Sequence, residues 1–156
     1  MRQKYFRALN GIFGKIGTRS SPLVTLSLIN AYCVPILTYG IESLNVPRAV
    51  YTVLDNAYIA GFAKIFGTYD KDIVKQCQFY CGATPLCDII DLRRLNFLNG
   101  IRKSCSNAIS LLFEVDGKVE FSSLVVKHTL SVESVGNNWK NTLRANFANS
   151  LIVTTE

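Results

Sequence analysis

A chain of 156 residues, 49% apolar and 18% charged, is too hydrophobic to be disordered and long enough to bury a core as one globular domain. Its net charge of +6 and pI near 9.2 exclude a strongly acidic protein and point to an acidic partner, either nucleic acid or an anionic membrane surface. The excess is local: the first nineteen residues hold five bases and no acid, and the rest hold twelve bases against eleven acids.

In that first segment Arg2, Lys4, Arg7, Lys15 and Arg19 supply charge, and Tyr5, Phe6, Leu9, Ile12, Phe13 and Ile16 supply apolar surface. At about 100° per residue the two sets separate onto different sides of a helix over residues 2–16, closed by Gly17. Lys4, Arg7 and Lys15 share a stripe whose other members are Ala8 and Gly11. A cationic face that is also the thinnest face can bring its backbone close to a polyanion. A solvated helix face that is merely basic is the plainer alternative.

Ser20 or Ser21 is positioned to cap a second helix, 21–43, with Pro22 in its first turn and a kink at Pro35. The run from Ser20 to Ile41 carries no charge. It spans a bilayer on length alone, but Ser20, Ser21, Thr25, Ser27, Asn30, Thr38 and two prolines favour a buried core helix, and no membrane role is expected. The first segment mixes charge with aromatics, so no secretory signal is read there. Residues 2–16 and 21–43 are expected to pack as an antiparallel pair. Pro47 opens a third helix ending at Gly67. Asp70 caps a short one through Cys81, and Pro85 opens a long one reaching Leu112. Asp116-Gly117 then reads as a turn. Leu124 to Glu133 is either extended or irregular, and Trp139 to Ile152 returns to helical spacing. The expected architecture is an all-α compact helical bundle over 1–115, followed by an irregular or partly extended appendage over 116–156 that ends in a short helix.

The residues for chemistry are sparse. Cys33, Cys77, Cys81, Cys87 and Cys105 form an odd set, expected as free thiols in a reducing, intracellular setting, nuclear or cytoplasmic. Cys77, Cys81 and Cys87 cluster without matching a zinc-ligand spacing, so neither metal nor cofactor is expected. The segment Tyr69-Asp70-Lys71-Asp72 superficially resembles a metal-holding aspartate pair, but a lysine divides the acids, and helix capping by Asp70 explains it better. The one histidine, His128, has no evident nucleophile or acid in its neighbourhood of the sequence. No catalytic residue is assigned.

Lys4 to Gly17 (KYFRALNGIFGKIG) and Val34 to Glu42 (VPILTYGIE) together resemble the region just downstream of the polymerase palm in reverse transcriptases of non-LTR, jockey-like retrotransposons. Ile65-Phe66-Gly67 and Arg93-Arg94-Leu95-Asn96-Phe97-Leu98 are similar to that family's C-terminal helices, so the likeness covers roughly residues 2 to 105. The resemblance implies a thumb and adjoining helices that grip the template–primer duplex, RNA–DNA or DNA, beside an upstream palm that carries the catalysis. It implies a fragment or remnant of an RNA-directed DNA polymerase, inactive by itself. Lys4, Arg7, Gly11, Lys15 and Arg19 would then line the nucleic-acid backbone. Tyr39, Gly40 and Glu42 match the second motif, where packing and helix termination are their plainest roles. The alternatives are a non-catalytic helical interaction protein and a decayed element without function.

Overall fold

A computed structural model describes residues 1–17, 20–44, 46–130 and 137–153, and every regular element among them is helical. The chain divides into two compact units, Met1–Cys87 and Asp88–Glu156.

In the first unit, α1 (Arg2–Ile16) ends at Gly17 as its sequence predicts. The helix expected over 21–43 forms a broken rod: α2 (Pro22–Leu28), a π turn (Ile29–Cys33), α3 (Val34–Thr38) and, past Gly40, a 3-10 turn (Ile41–Ser43). Pro35 explains the irregularity. It lacks an N–H, and its ring collides with the carbonyl four residues back, so the preceding turn widens and Val34 N–H reaches the Ile29 carbonyl. Neither serine caps this rod through its side chain; Ser21 instead accepts from Thr25 Oγ1 at its carbonyl, at 3.2 Å. Tyr5 lies beside Cys33, while Phe13 and Gly17 line one groove with Pro22 and Thr25, so α1 and the rod run antiparallel. The rod is long and apolar enough to cross a membrane by length and composition, yet it buries Leu26, Ile29, Cys33, Leu37 and Ile41 in the protein's own core.

Behind Pro47, α4 (Arg48–Phe66) runs to Gly67, and α5 (Lys71–Tyr80) follows from an N-cap in which Asp70 Oδ1 accepts from the backbone of Asp72 at 2.9 Å and Ile73 at 3.4 Å. The helix α4 packs on α1, α2 and α5. Tyr5, Leu9, Leu37, Tyr58, Phe62, Val74 and Leu86 are at most 1% exposed and form this unit's centre. Tyr58 sets its ring edge-on to Phe62, with centroids 5.0 Å apart, and donates to the Thr84 carbonyl at 3.4 Å. Helices α1 and α4 approach closely at one point: a Cβ added at Gly61 would lie 2.5 Å from Tyr5 Oη. Only glycine leaves room for the phenol there. The hydroxyl it admits is buried and has no hydrogen-bond partner.

The helix expected from Pro85 to Leu112 breaks into α6 (Leu86–Arg102), most of it in the second unit, and α7 (Asn107–Leu112). The break falls at Ser104-Cys105-Ser106, where Ser106 N–H donates to Ser104 Oγ at 3.3 Å and Ser106 takes the extended N-cap conformation. As a result Ile109 and Leu112 are exposed instead of entering a core. Asp116-Gly117 is no turn: it closes a π turn (Phe113–Gly117) that runs into α8 (Lys118–Lys127). Gly117 has helical dihedrals, and its missing Cβ would sit 2.9 Å from Phe113 Cδ2, so the glycine serves packing. Helix α8 also replaces the extended segment considered from Leu124 onward; residues 131–133 of that segment lie outside the described ones. After it, Thr129 adopts φ 51° and Leu130 N–H closes back on the Val125 carbonyl at 3.0 Å, a Schellman ending with threonine where glycine is usual. The final helix, α9 (Asn137–Val153), lays Trp139 against Phe121, and Leu95, Leu98, Phe113 and Leu130 complete this core.

Because a Cβ at residue 61 would collide with the Tyr5 hydroxyl, Gly61→Ala should destabilise the chain by about 1–3 kcal/mol through overpacking. Tyr5→Phe should be neutral or stabilising, because an unsatisfied buried hydroxyl costs about 1–3 kcal/mol. In the Tyr5→Phe background Gly61→Ala should cost nothing, since the next atom, Tyr5 Cζ, is 3.7 Å away. Denaturant unfolding of the four proteins checks this, and additive effects would contradict the contact.

Burial holds the Tyr5 and Tyr58 phenols well above their ordinary 10.0 and the Cys33 thiol above 9.0. On raising the pH the unfolded chain therefore releases these protons first, and the native state binds more of them. Stability should be full below about pH 9 and fall as the pH rises beyond it, less steeply in Tyr5→Phe, as measured by urea midpoints between about pH 8 and about pH 11.

Candidate nucleic-acid interface

The rotation of α1 is fixed by its two buried residues, Tyr5 and Leu9, at 0% and 1% exposure. Phe6, Ala8, Ile12, Phe13 and Ile16 are half-buried around them. The opposite side is left to solvent, and it carries Lys4, Arg7, Gly11 and Lys15 together, all exposed. At a rise of 1.5 Å per residue, Lys4 and Lys15 stand about 16 Å apart along the axis. Arg19, the fifth residue expected on this surface, lies outside the described residues.

The middle of the stripe is bare. A Cβ added at Gly11, or at Gly14 one turn portion further on, would meet nothing within 4 Å. Glycine inside a helix costs roughly 0.5–1 kcal/mol relative to alanine. No intramolecular contact requires that cost here, in contrast to Gly61.

The electrostatics separate these cations from others in the chain. Lys75 meets Asp72 at 3.5 Å, Lys118 meets Glu114 at 3.0 Å, and Arg94 grips Glu120 with two bonds of 2.8 and 2.6 Å. Lys4, Arg7 and Lys15 form no ion pair with a described carboxylate. The first acid in the sequence is Glu42, so none is at hand locally. Three uncompensated charges on one exposed stripe constitute an anion-attracting surface.

Lys64, a residue that sequence reasoning passed over, borders α1 from α4. Its ammonium donates to Asn10 Oδ1 at 2.8 Å and stands 4.6 Å from the centroid of the Phe13 ring. It faces a groove of about 390 Å³ that Phe13, Gly17, Ser20, Pro22, Thr25 and Ile65 also line. Its place depends on tertiary packing across 54 positions, which no local pattern encodes.

His128 also finds a partner that the sequence hid. Asp91 Oδ2 lies 2.8 Å from His128 Nε2 and accepts from Lys127 Nζ at 2.5 Å, with Asp91 and His128 both buried. The His128 carbonyl accepts from Asn146 at 2.9 Å. This arrangement ties α6, the end of α8 and α9 together. Its described ring contact is to the Asp91 carboxylate, which makes it a clamp between these helices. Asp70 is engaged as a helix cap, as expected. All five cysteines are free, and no group of three or more His, Cys, Asp or Glu side chains gathers among the described residues.

Compared with protein-family models, with curated proteins and with solved structures, the chain matches none.

Because nothing inside the protein occupies the space beside Gly11, Gly11→Ala should raise stability by about 0.5–1 kcal/mol and increase helicity slightly. A loss of stability in thermal or urea unfolding would reveal an intramolecular reason for the glycine.

Proposed function

We propose that this chain is a non-catalytic, nucleic-acid-gripping helical module, similar in role to the thumb and adjoining segment of a non-LTR retrotransposon reverse transcriptase. It acts inside the cell on the sugar-phosphate backbone of an RNA–DNA or DNA duplex. In a parent RNA-directed DNA polymerase an upstream palm domain performs the chemistry. The observation that carries this reading is the exposed stripe of Lys4, Arg7 and Lys15, unpaired by any described carboxylate and flanking a glycine with open space beside it. Phosphates reward such charges whatever the base sequence, and the absent side chain at Gly11 permits close approach.

Structural tasks for three of the acids support a non-catalytic role: Asp70 caps a helix, Glu120 holds Arg94, and Asp91 holds His128 and Lys127. A helical interaction protein is the competing reading, and one observation favours it: Leu23, Val24, Tyr32 and Tyr39, on the rod, are 53–78% exposed. Exposed apolar side chains of this size suit a protein partner.

Salt-dependent duplex binding decides between them. Replacing Lys4, Arg7 and Lys15 together by Ala should flatten the log–log salt dependence by about two to three, at roughly 0.9 per lost phosphate contact on B-form DNA. All sequences should weaken alike, and helicity should persist. Gly11→Leu, which adds bulk without charge, should weaken binding while leaving the slope nearly unchanged. A triple variant that binds RNA–DNA and DNA duplexes like the parent at every salt concentration would move the interaction-protein reading ahead.

A further inference from the structure

The helix α5 carries Cys77 in its last turn and meets Cys81 as its C-cap. Cys81 N–H donates to the Cys77 carbonyl at 3.0 Å, so the turn between them is helical. Residues four apart on a helix share a face with their Cβ atoms about 5–6 Å apart. Both side chains are half-exposed, both thiols are free, and no hydrogen bond engages either. The remaining cysteines offer no such pair, since Cys33 is fully buried and Cys87 and Cys105 are exposed at separate positions.

We propose that Cys77 and Cys81 form a two-thiol binding site for a soft monovalent cation of the copper(I) type. Two metal–sulfur bonds of about 2.3 Å, the length typical of thiolate ligation, span roughly 4.6 Å between sulfurs. Side chains leaning together across one helical turn cover that distance. No group of three or more candidate ligands forms among the described residues, so the four-coordinate shell that structural zinc takes is not provided. Soft thiolate ligands favour copper(I), and a pair in line serves a two-coordinate ion. Binding forms two metal–sulfur bonds, releases two thiol protons to solvent and leaves the oxidation state of the metal unchanged.

The test uses the full chain with Cys87→Ser and Cys105→Ser, which removes the exposed single thiols. Copper(I) supplied anaerobically as its coloured bicinchoninate complex should transfer to this protein at one ion per chain, with no change in sedimentation on loading. Adding Cys77→Ser or Cys81→Ser should each weaken transfer by about 100-fold or more, because the second thiol acts at a high effective concentration. Circular dichroism should show both variants folded, as expected for isosteric changes at half-exposed positions. Transfer that survives either substitution, an ion shared between two chains, or no transfer to the parent would each overturn the site. Either variant suffices for the test if the other fails to fold.

Discussion

The seating of Tyr5 against Gly61 is the contact on which the first unit's surface depends. A phenol that fully buries its ring against the backbone of another helix cannot rotate without opening a void or meeting that backbone. It therefore locks α1 about its own axis, with Leu9 one turn further along as the second anchor. Once that face is committed, helical periodicity leaves no choice for the rest: Lys4, Arg7, Gly11 and Lys15 must point to solvent. The fold accepts two costs for this lock, a glycine within α4 and a hydroxyl without a partner.

The same device recurs in the second unit with different consequences. Gly117 makes room for the Phe113 ring inside a π turn, and a wide turn again appears where a regular helix would not fit. In the rod the misfit comes from Pro35, and beside Phe113 it comes from the ring itself. Both irregularities keep the helical path continuous while shifting the side chains that follow it by about one residue. The polar chemistry of the two units differs. Asp91, His128, Lys127, Arg94 and Glu120 satisfy one another in the second, whereas the basic face of α1 finds no described counter-charge. A surface whose charges are already paired gains little from a phosphate, and an unpaired one gains more, which is why the proposed grip is placed on α1.

Local signals were most legible where a single residue type sets the backbone. Gly17 and Gly67 end their helices at positive φ, Asp70 caps α5 through its carboxylate, and Pro35 disturbs the rod near the expected place. Readings failed where the same residue type had a non-local reason. Gly117 has the composition of a turn, but the Phe113 ring claims the space of its side chain. Ile109 and Leu112 keep helical spacing with the residues before them, but the serine-rich break at 103–106 turns them outward. Thr129 shows no sequence sign of ending a helix in a left-handed conformation.

By itself, then, the sequence determined the all-α class, the basic face of the first helix and its concentration of charge, because periodicity and composition act within a few turns of one segment. Tertiary structure decided which glycines make room for aromatic rings and which stand open to solvent. It also decided that Lys64 would stand beside Asn10 and Phe13, and that His128 would be held by Asp91. Those pairings join residues 37 to 54 positions apart, and they arise only when apolar burial brings separate helices together. No local pattern of residue types carries that information.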